Sequence, residues 1–212
     1  EIEIALKKTR ETAEYKRTLR NNLSEILRLQ KIVDGLLVLS QLDAGKFSIG
    51  NEKINLNELL AEAVSKITPL AKRKNIRIIV NLLENISESD GQASVKGDEG
   101  LLLNVMLNLL DNAVKYSPVG SEITCSVNMS SDTKMMKVSI EDNGMGISEE
   151  HLERIFDRFY KVDKSRSRGE NVSTGLGLSI SNAIVRALGG SMEAESVEGK
   201  GSKFSILLPA TG

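Results

Sequence analysis

Near the start of the chain, apolar residues recur in alternating steps of four and three. Leu19, Leu23, Ile26, Gln30, Val33, Leu37, Ser40 and Ala44 form one row, interrupted by the polar Gln30 and Ser40. A second row, Leu29, Ile32, Leu36 and Leu39, lies beside it. This period predicts a long helix with a broad apolar face, ending near Ala44. Thr12 is placed to cap it, with Glu14 in the favourable first turn. Two adjacent rows suit a helix of a four-helix bundle. One helix cannot bury both rows alone, so a partner chain is expected. Glu1 to Lys8 reads as the end of a preceding helix.

After DAGKF the periodicity changes, which predicts a boundary between a helical region, 1–46, and a second domain, 47–212. In the second domain Leu56 to Arg73, Asp98 to Lys115, Ser148 to Phe156 and Leu176 to Leu188 read as helices, the last ended by Gly189-Gly190. RIIVNLL (Arg77–Leu83), ASVKG, EITCSVNM, KMMKVSIED, SMEAESV and SKFSILLP read as strands. Strands and helices mix without strict alternation. That order predicts an α+β fold, with a layer of helices on a mixed, mostly antiparallel sheet.

Composition narrows the classes. With 28 basic and 29 acidic residues among 212, the chain carries no basic block, so no nucleic-acid partner is expected. One cysteine leaves no internal disulfide and no zinc pattern. Cys125 alternates with Ile123 and Val127 on one strand face and reads as a small core residue. No apolar run approaches the roughly 18 residues needed to span a bilayer. Without an initial methionine and opening on a helical pattern, the chain reads as part of something longer.

Candidate chemistry gathers in four segments. In NLLDNAVKYS, Asn108, Asn112 and Lys115 fall within about 60° on one helical stripe. Amide oxygens are neutral ligands suited to Mg²⁺, and lysine adds a point charge for phosphate. A hydrated helix face is the plainer alternative, but Val105, Leu107, Leu109, Leu110 and Ala113 make the helix too apolar for it. In EDNGMGI, Asp142 falls in register with Met136, Val138 and Ile140. It is either a strand-end turn former or a buried acceptor for a ligand donor such as the adenine amine. Gly144 and Gly146 permit close backbone approach.

In STGLGLSI, Thr174, Gly175, Leu176, Gly177 and Leu178 precede or open a helix. They make either a plain turn or a phosphate-binding helix start. No GxxxxGK[ST] occurs. The polar stretch before it carries Lys161, Lys164, Arg166 and Arg168, read as a solvated loop or as a cationic lid over a triphosphate. Phe156, Phe159 and Tyr160 read as its hydrophobic anchor.

Taken in order, these segments resemble the N, G1, F and G2 boxes of sensor histidine kinases. GDEGLLLNVMLNLLDNAVKYSP, IFDRFYKVDKSRSR and GGSMEAESVEGKGSKFSILLP carry the resemblance, and the helix ending LLVLSQLDAGKF resembles the second helix of the dimerisation bundle. It implies a Bergerat-type sandwich shared with gyrase-like ATPases, using ATP and Mg²⁺. It makes Asn108 and Asn112 metal-side amides, with Asn112 foremost. Lys115 and Tyr116 would line the nucleotide, and Asp142 would bind the adenine amine beside Gly144, Gly146 and Ile147. Tyr160 and Lys161 match the end of the F box, where a basic residue would approach the γ-phosphate. Arg168, Thr174, Gly175, Leu176, Gly177 and Leu178 would complete the site. The implied partners are a second copy through the long helix and a response-regulator receiver domain. The implied location is the cytoplasm, in a parent protein anchored in the membrane.

The chain departs from the family at the phosphoacceptor. Its single histidine, His151, stands in ISEEHLERIF and not in an H box, and reads as an exposed helix residue. Glu1 to Lys8 resembles the helix just after that box, so the acceptor is expected upstream or deleted. The chain is therefore expected to bind nucleotide without phosphorylating itself. The rival reading is an ATP-hydrolysing machine of the gyrase kind. It needs a water-activating glutamate one turn before Asn112, where this chain has Asn108, and an amide is no general base. A nucleotide-binding adaptor without activity is the non-enzyme alternative.

Overall fold

The computed structural model describes residues 12–44, 50–83, 93–130, 134–162 and 174–211. Its first element is α1 (Thr12–Asp43), with Glu14 in the first turn. Thr12 lies inside this helix and not ahead of it. Glu1 to Lys8 and the expected boundary at 46/47 fall outside the described residues.

The second region follows as β1 (Glu52–Asn55), α2 (Leu56–Arg73), β2 (Arg77–Asn81), β3 (Ser94–Gly97), α3 (Glu99–Tyr116), β4 (Glu122–Met129), β5 (Met135–Asp142), α4 (Glu149–Leu152), α5 (Gly177–Ala187), β6 (Ser191–Val197) and β7 (Gly201–Pro209). Five strands form one sheet in the order β2-β4-β5-β7-β6. β2 runs parallel to β4 and every other pairing is antiparallel. β1 and β3 make a separate two-stranded antiparallel sheet. The sequence pattern misses β1, whose EKIN offers a single apolar residue.

Alternation decides which face of the sheet is covered. Ile123, Cys125 and Val127 on β4, Met136, Val138 and Ile140 on β5, and Phe204, Ile206 and Leu208 on β7 are all buried. Against them pack Leu59, Leu60 and Ala63 of α2, Val105, Met106, Leu109 and Leu110 of α3, and Ile184 and Val185 of α5. The opposite face is polar, with Lys137 paired to Glu193 at 3.2 Å and Lys203 to Glu141 at 3.7 Å. The result is a two-layer sandwich with its chemistry-bearing helices on one side.

The helix ends are set locally. Asn55 caps α2 by accepting from Asn57 N at 2.9 Å, and its own amide donates to Glu58 Oε1 at 3.0 Å. Asp98 caps α3 by accepting from Leu101 N at 2.8 Å. Gly189, at φ +76°, ends α5, and Gly190 N reaches back to Val185 O at 2.9 Å.

The structure corrects three expectations. The strand predicted to Leu83 ends at Asn81, where Asn57 takes over the backbone of Leu83 through two hydrogen bonds. The helix predicted over Ser148–Phe156 keeps only Glu149–Leu152; beyond it Arg154 N and Asp157 N close successive single turns. Leu39, assigned to an apolar row that a partner chain would cover, is 1% exposed within the chain itself. It lies with Gly35, also buried, on a face of α1 directed at α5, where a Cβ on Gly35 would stand 2.6 Å from Ile180 Cδ1. Most of both rows stays open: Leu19, Leu23, Ile26, Leu29, Val33, Leu36 and Leu37 are exposed, and Ile32 is half-buried.

Candidate functional site

Asp142 is the last residue of β5 and pairs with Ile123 on one side and Ser202 on the other. Its register puts the carboxyl on the covered face, where it is 6% exposed. Removal from water pushes its pKa up to about 6, against the pull of backbone N–H groups at Gly144 and Ser202. Gly144 N donates to Oδ1 at 2.8 Å. The turn that follows depends on glycine. Gly146 has φ +68°, and a Cβ there would lie 2.7 Å from Val197 C. Ile147 N then donates to Ser196 Oγ at 2.8 Å, which ties the turn to β6.

Tyr116 ends α3 next to this turn, since a Cβ on Gly144 would stand 2.8 Å from the Tyr116 carbonyl oxygen. The Tyr116 ring is exposed, with the Lys115 ammonium 5.3 Å from its centroid. Burial lowers the Lys115 pKa, Asp111 opposes that, and the nearby charge of Lys161 lowers it further. Two lysines from separate segments thus share one region, an arrangement that an anion between them would stabilise. Asn112 is half-buried, and its side chain makes no hydrogen bond to another described residue. Among the described residues no three His, Cys, Asp or Glu side chains could hold a metal ion.

Asn108 also meets α5. Its Nδ2 donates to Ser181 Oγ at 2.9 Å, and its amide lies against Gly177, so it joins α3 to α5. Gly177 opens α5 and Leu178 is half-buried behind it. Leu176 is buried, its N–H donating to Thr174 Oγ1 at 3.3 Å. Gly175, at φ +74°, accepts from Phe159 N at 2.9 Å, and Phe159 itself is left-handed at φ 64°. The GLGL segment and the end of the aromatic segment are therefore one unit. Within that unit Phe156 is partly buried against the core, while Phe159 is exposed.

His151 is not an exposed helix residue, which corrects the expectation. It is half-buried, and its Nδ1 lies 2.7 Å from Tyr160 Oη. Its Nε2 lies 3.4 Å from Glu150 Oε1. The Arg154 guanidinium sits 4.4 Å from the Tyr160 ring centroid. His151, together with Arg154, which sequence reasoning passed over, thus fixes Tyr160. Cys125 is buried, and loss of solvent pushes its thiol up to about 12. Lys164, Arg166 and Arg168 lie outside the described residues.

With this geometry in place, residues 97–212 match the family described as Histidine kinase-, DNA gyrase B-, and HSP90-like ATPase. Sensor protein SrrB of Staphylococcus aureus is 37% identical over 94% of the chain. Sensor histidine kinase WalK of Bacillus subtilis is 33% identical over 88% of it. The chain spans only 32% and 29% of those two proteins' own lengths. The crystal structure of full-length ShkA in complex with AMPPNP superposes with a TM-score of 0.76 at 25% identity, over 97% of this chain and 40% of that one. Among the described residues no helix is long and apolar enough to cross a membrane.

Proposed function

Because this chain belongs to the histidine kinase-, DNA gyrase B-, and HSP90-like ATPases, as the ATP-binding catalytic domain of a sensor histidine kinase, we propose that it binds Mg·ATP between α3, the Asp142 turn and the start of α5. There it delivers the γ-phosphoryl group to a histidine of the dimerisation bundle, for relay to an aspartate of a response regulator. The observation that carries this reading is Asp142, a carboxylate buried at a strand end beside glycines and an exposed tyrosine. A buried acid that stays ionised near neutral pH needs donors, and an adenine amine supplies one.

In this reading Asp142 accepts from the base, and Tyr116 covers it. Asn112 offers a neutral oxygen on the metal side. Lys115 and Lys161 meet the phosphates from two directions. Magnesium, when bound, neutralises charge on the transferring phosphoryl group. Asn108 contributes through α5, since its amide is engaged there.

Transfer is favoured over hydrolysis because the position one turn before Asn112 holds that engaged amide and Asp111 is exposed. Neither is placed to activate water. His151 is not taken as the acceptor, because it stands in ISEEHLERIF and not in an H box. The open apolar rows of α1 fit a second copy of the chain, which sedimentation at rising concentration tests. The function itself is tested with γ-labelled ATP and Mg²⁺. The chain should retain nucleotide, release inorganic phosphate slowly and carry no acid-labile label. Phosphate on His151, or rapid turnover to inorganic phosphate, would overturn the reading.

A further inference from the structure

Two helices end side by side in this fold. α2 stops at Lys74, and α3 stops at Ser117. The last carbonyls of a helix have no partner within it and carry the negative end of the dipole. At α3 Ser117 N satisfies Ala113 O, which leaves the following carbonyls to be met from outside. Lys74 Nζ meets three acceptors there: Val114 O at 2.9 Å, Lys115 O at 2.8 Å and Ser117 O at 3.1 Å. The two loops are also joined by main-chain bonds, Gly120 N to Lys74 O at 2.9 Å and Arg77 N to Ser121 O at 3.0 Å. Lys74 is half-buried, so the ammonium is partly screened from water.

We propose that Lys74 is a positioning residue for nucleotide binding, its ammonium holding the end of α3 so that Lys115 and Tyr116 stand correctly against the Asp142 turn. The proposal rests on the nucleotide site assigned above. Lys74 binds the main chain of Val114 and, on either side of Tyr116, that of Lys115 and Ser117. The remaining carbonyl, Tyr116 O, is backed by Gly144, two residues from Asp142. The last turn of α3 is therefore held between a cation on one side and the adenine-side turn on the other. Without the cation, several partly buried carbonyls turn toward water, and the turn carrying Lys115 and Tyr116 moves with them. No residue of the proposed nucleotide contact set is removed by changing Lys74.

The test measures the affinity of a fluorescent ADP with Mg²⁺ for the whole chain, well below its melting temperature. Lys74→Met keeps the stem and loses every donor; Lys74→Arg keeps a cation with N–H donors. Kd should rise about tenfold in the Met variant, equivalent to about 1.4 kcal/mol, and stay within about threefold of the parent in the Arg variant. A folded Met variant that binds like the parent would overturn the proposal, and so would an Arg variant as weak as the Met variant. If the Met variant does not fold, Lys74→Gln, with two donors and no charge, replaces it: weakened binding supports the proposal and parental binding overturns it. If the parent itself binds no nucleotide, the site assignment falls first and this proposal with it.

Discussion

Asn108 and Gly177 set the distance between α3 and α5. A Cβ on Gly177 would lie 2.8 Å from Asn108 Cγ and collide with its amide oxygen, while Asn108 Nδ2 donates to Ser181 Oγ one turn further along at 2.9 Å. Gly177→Ala should push the amide away and break that bond. The expected loss is about 1–3 kcal/mol of stability from overpacking, read as a lower urea midpoint. An unchanged midpoint would show that the contact has room to yield.

Asp142 gives the fold a pH dependence of known sign. Its pKa in the folded chain, about 6, lies above its ordinary value of 3.8, so the native state holds the proton more tightly. The resulting penalty is absent below the ordinary value, grows as pH rises toward about 6, and is fully present above it. Asp142→Asn removes this term. Thermal melts of both proteins should show the parent losing ground to the variant as pH rises from about 4 to about 6.5. Parallel melting curves across that window would show that the carboxyl is not held out of water.

The pair His151 and Tyr160 should be coupled. His151→Ala and Tyr160→Phe each remove the 2.7 Å hydrogen bond, so the double variant should cost less than the sum of the two. A coupling of about 1 kcal/mol is expected for a partly buried neutral bond, measured by a double-mutant cycle in denaturant. Strict additivity would mean that the two side chains do not interact in solution.

Cys125, pushed up to about 12 and fully covered, should be inert to alkylating reagents in the folded chain. Labelling should appear only as the protein unfolds, its rate following the unfolding transition in urea. Rapid labelling without denaturant would place the thiol outside the core.

Elements with a strong local signal were legible in the sequence. EITCSVNM and SMEAESV give strands over the residues read from them, and Asn55 with Glu58 fixes the start of α2 at the predicted Leu56. Where long-range contacts decide, the pattern fails. β1 has one apolar residue and exists because β3 pairs with it. Leu39 shares the spacing of its neighbours, but periodicity cannot say that its side of α1 meets α5 while theirs stays open.

The site divides the same way. The burial of Asp142 follows from its register with Met136, Val138 and Ile140. The turn of Asn108 toward α5 depends on Ser181, 73 residues away, and the hold of Lys74 on α3 spans about forty residues. His151 lies in a segment with helical spacing, yet the chain leaves the helix after Leu152, and Tyr160 returns to meet it. No spacing rule announces contacts of that kind.

The central claim is that Asp142 receives an adenine amine in a site completed by Asn112, Lys115 and Tyr116. Isothermal calorimetry of the chain and of Asp142→Asn with ADP and Mg²⁺, at neutral pH, tests it most directly. Saturable heat with one nucleotide per chain is expected for the parent. The variant should lose about 1–3 kcal/mol of binding free energy, because an amide can present a donor to the amine where the carboxylate accepted. No heat with the parent, or equal affinity in the two proteins, would contradict the account.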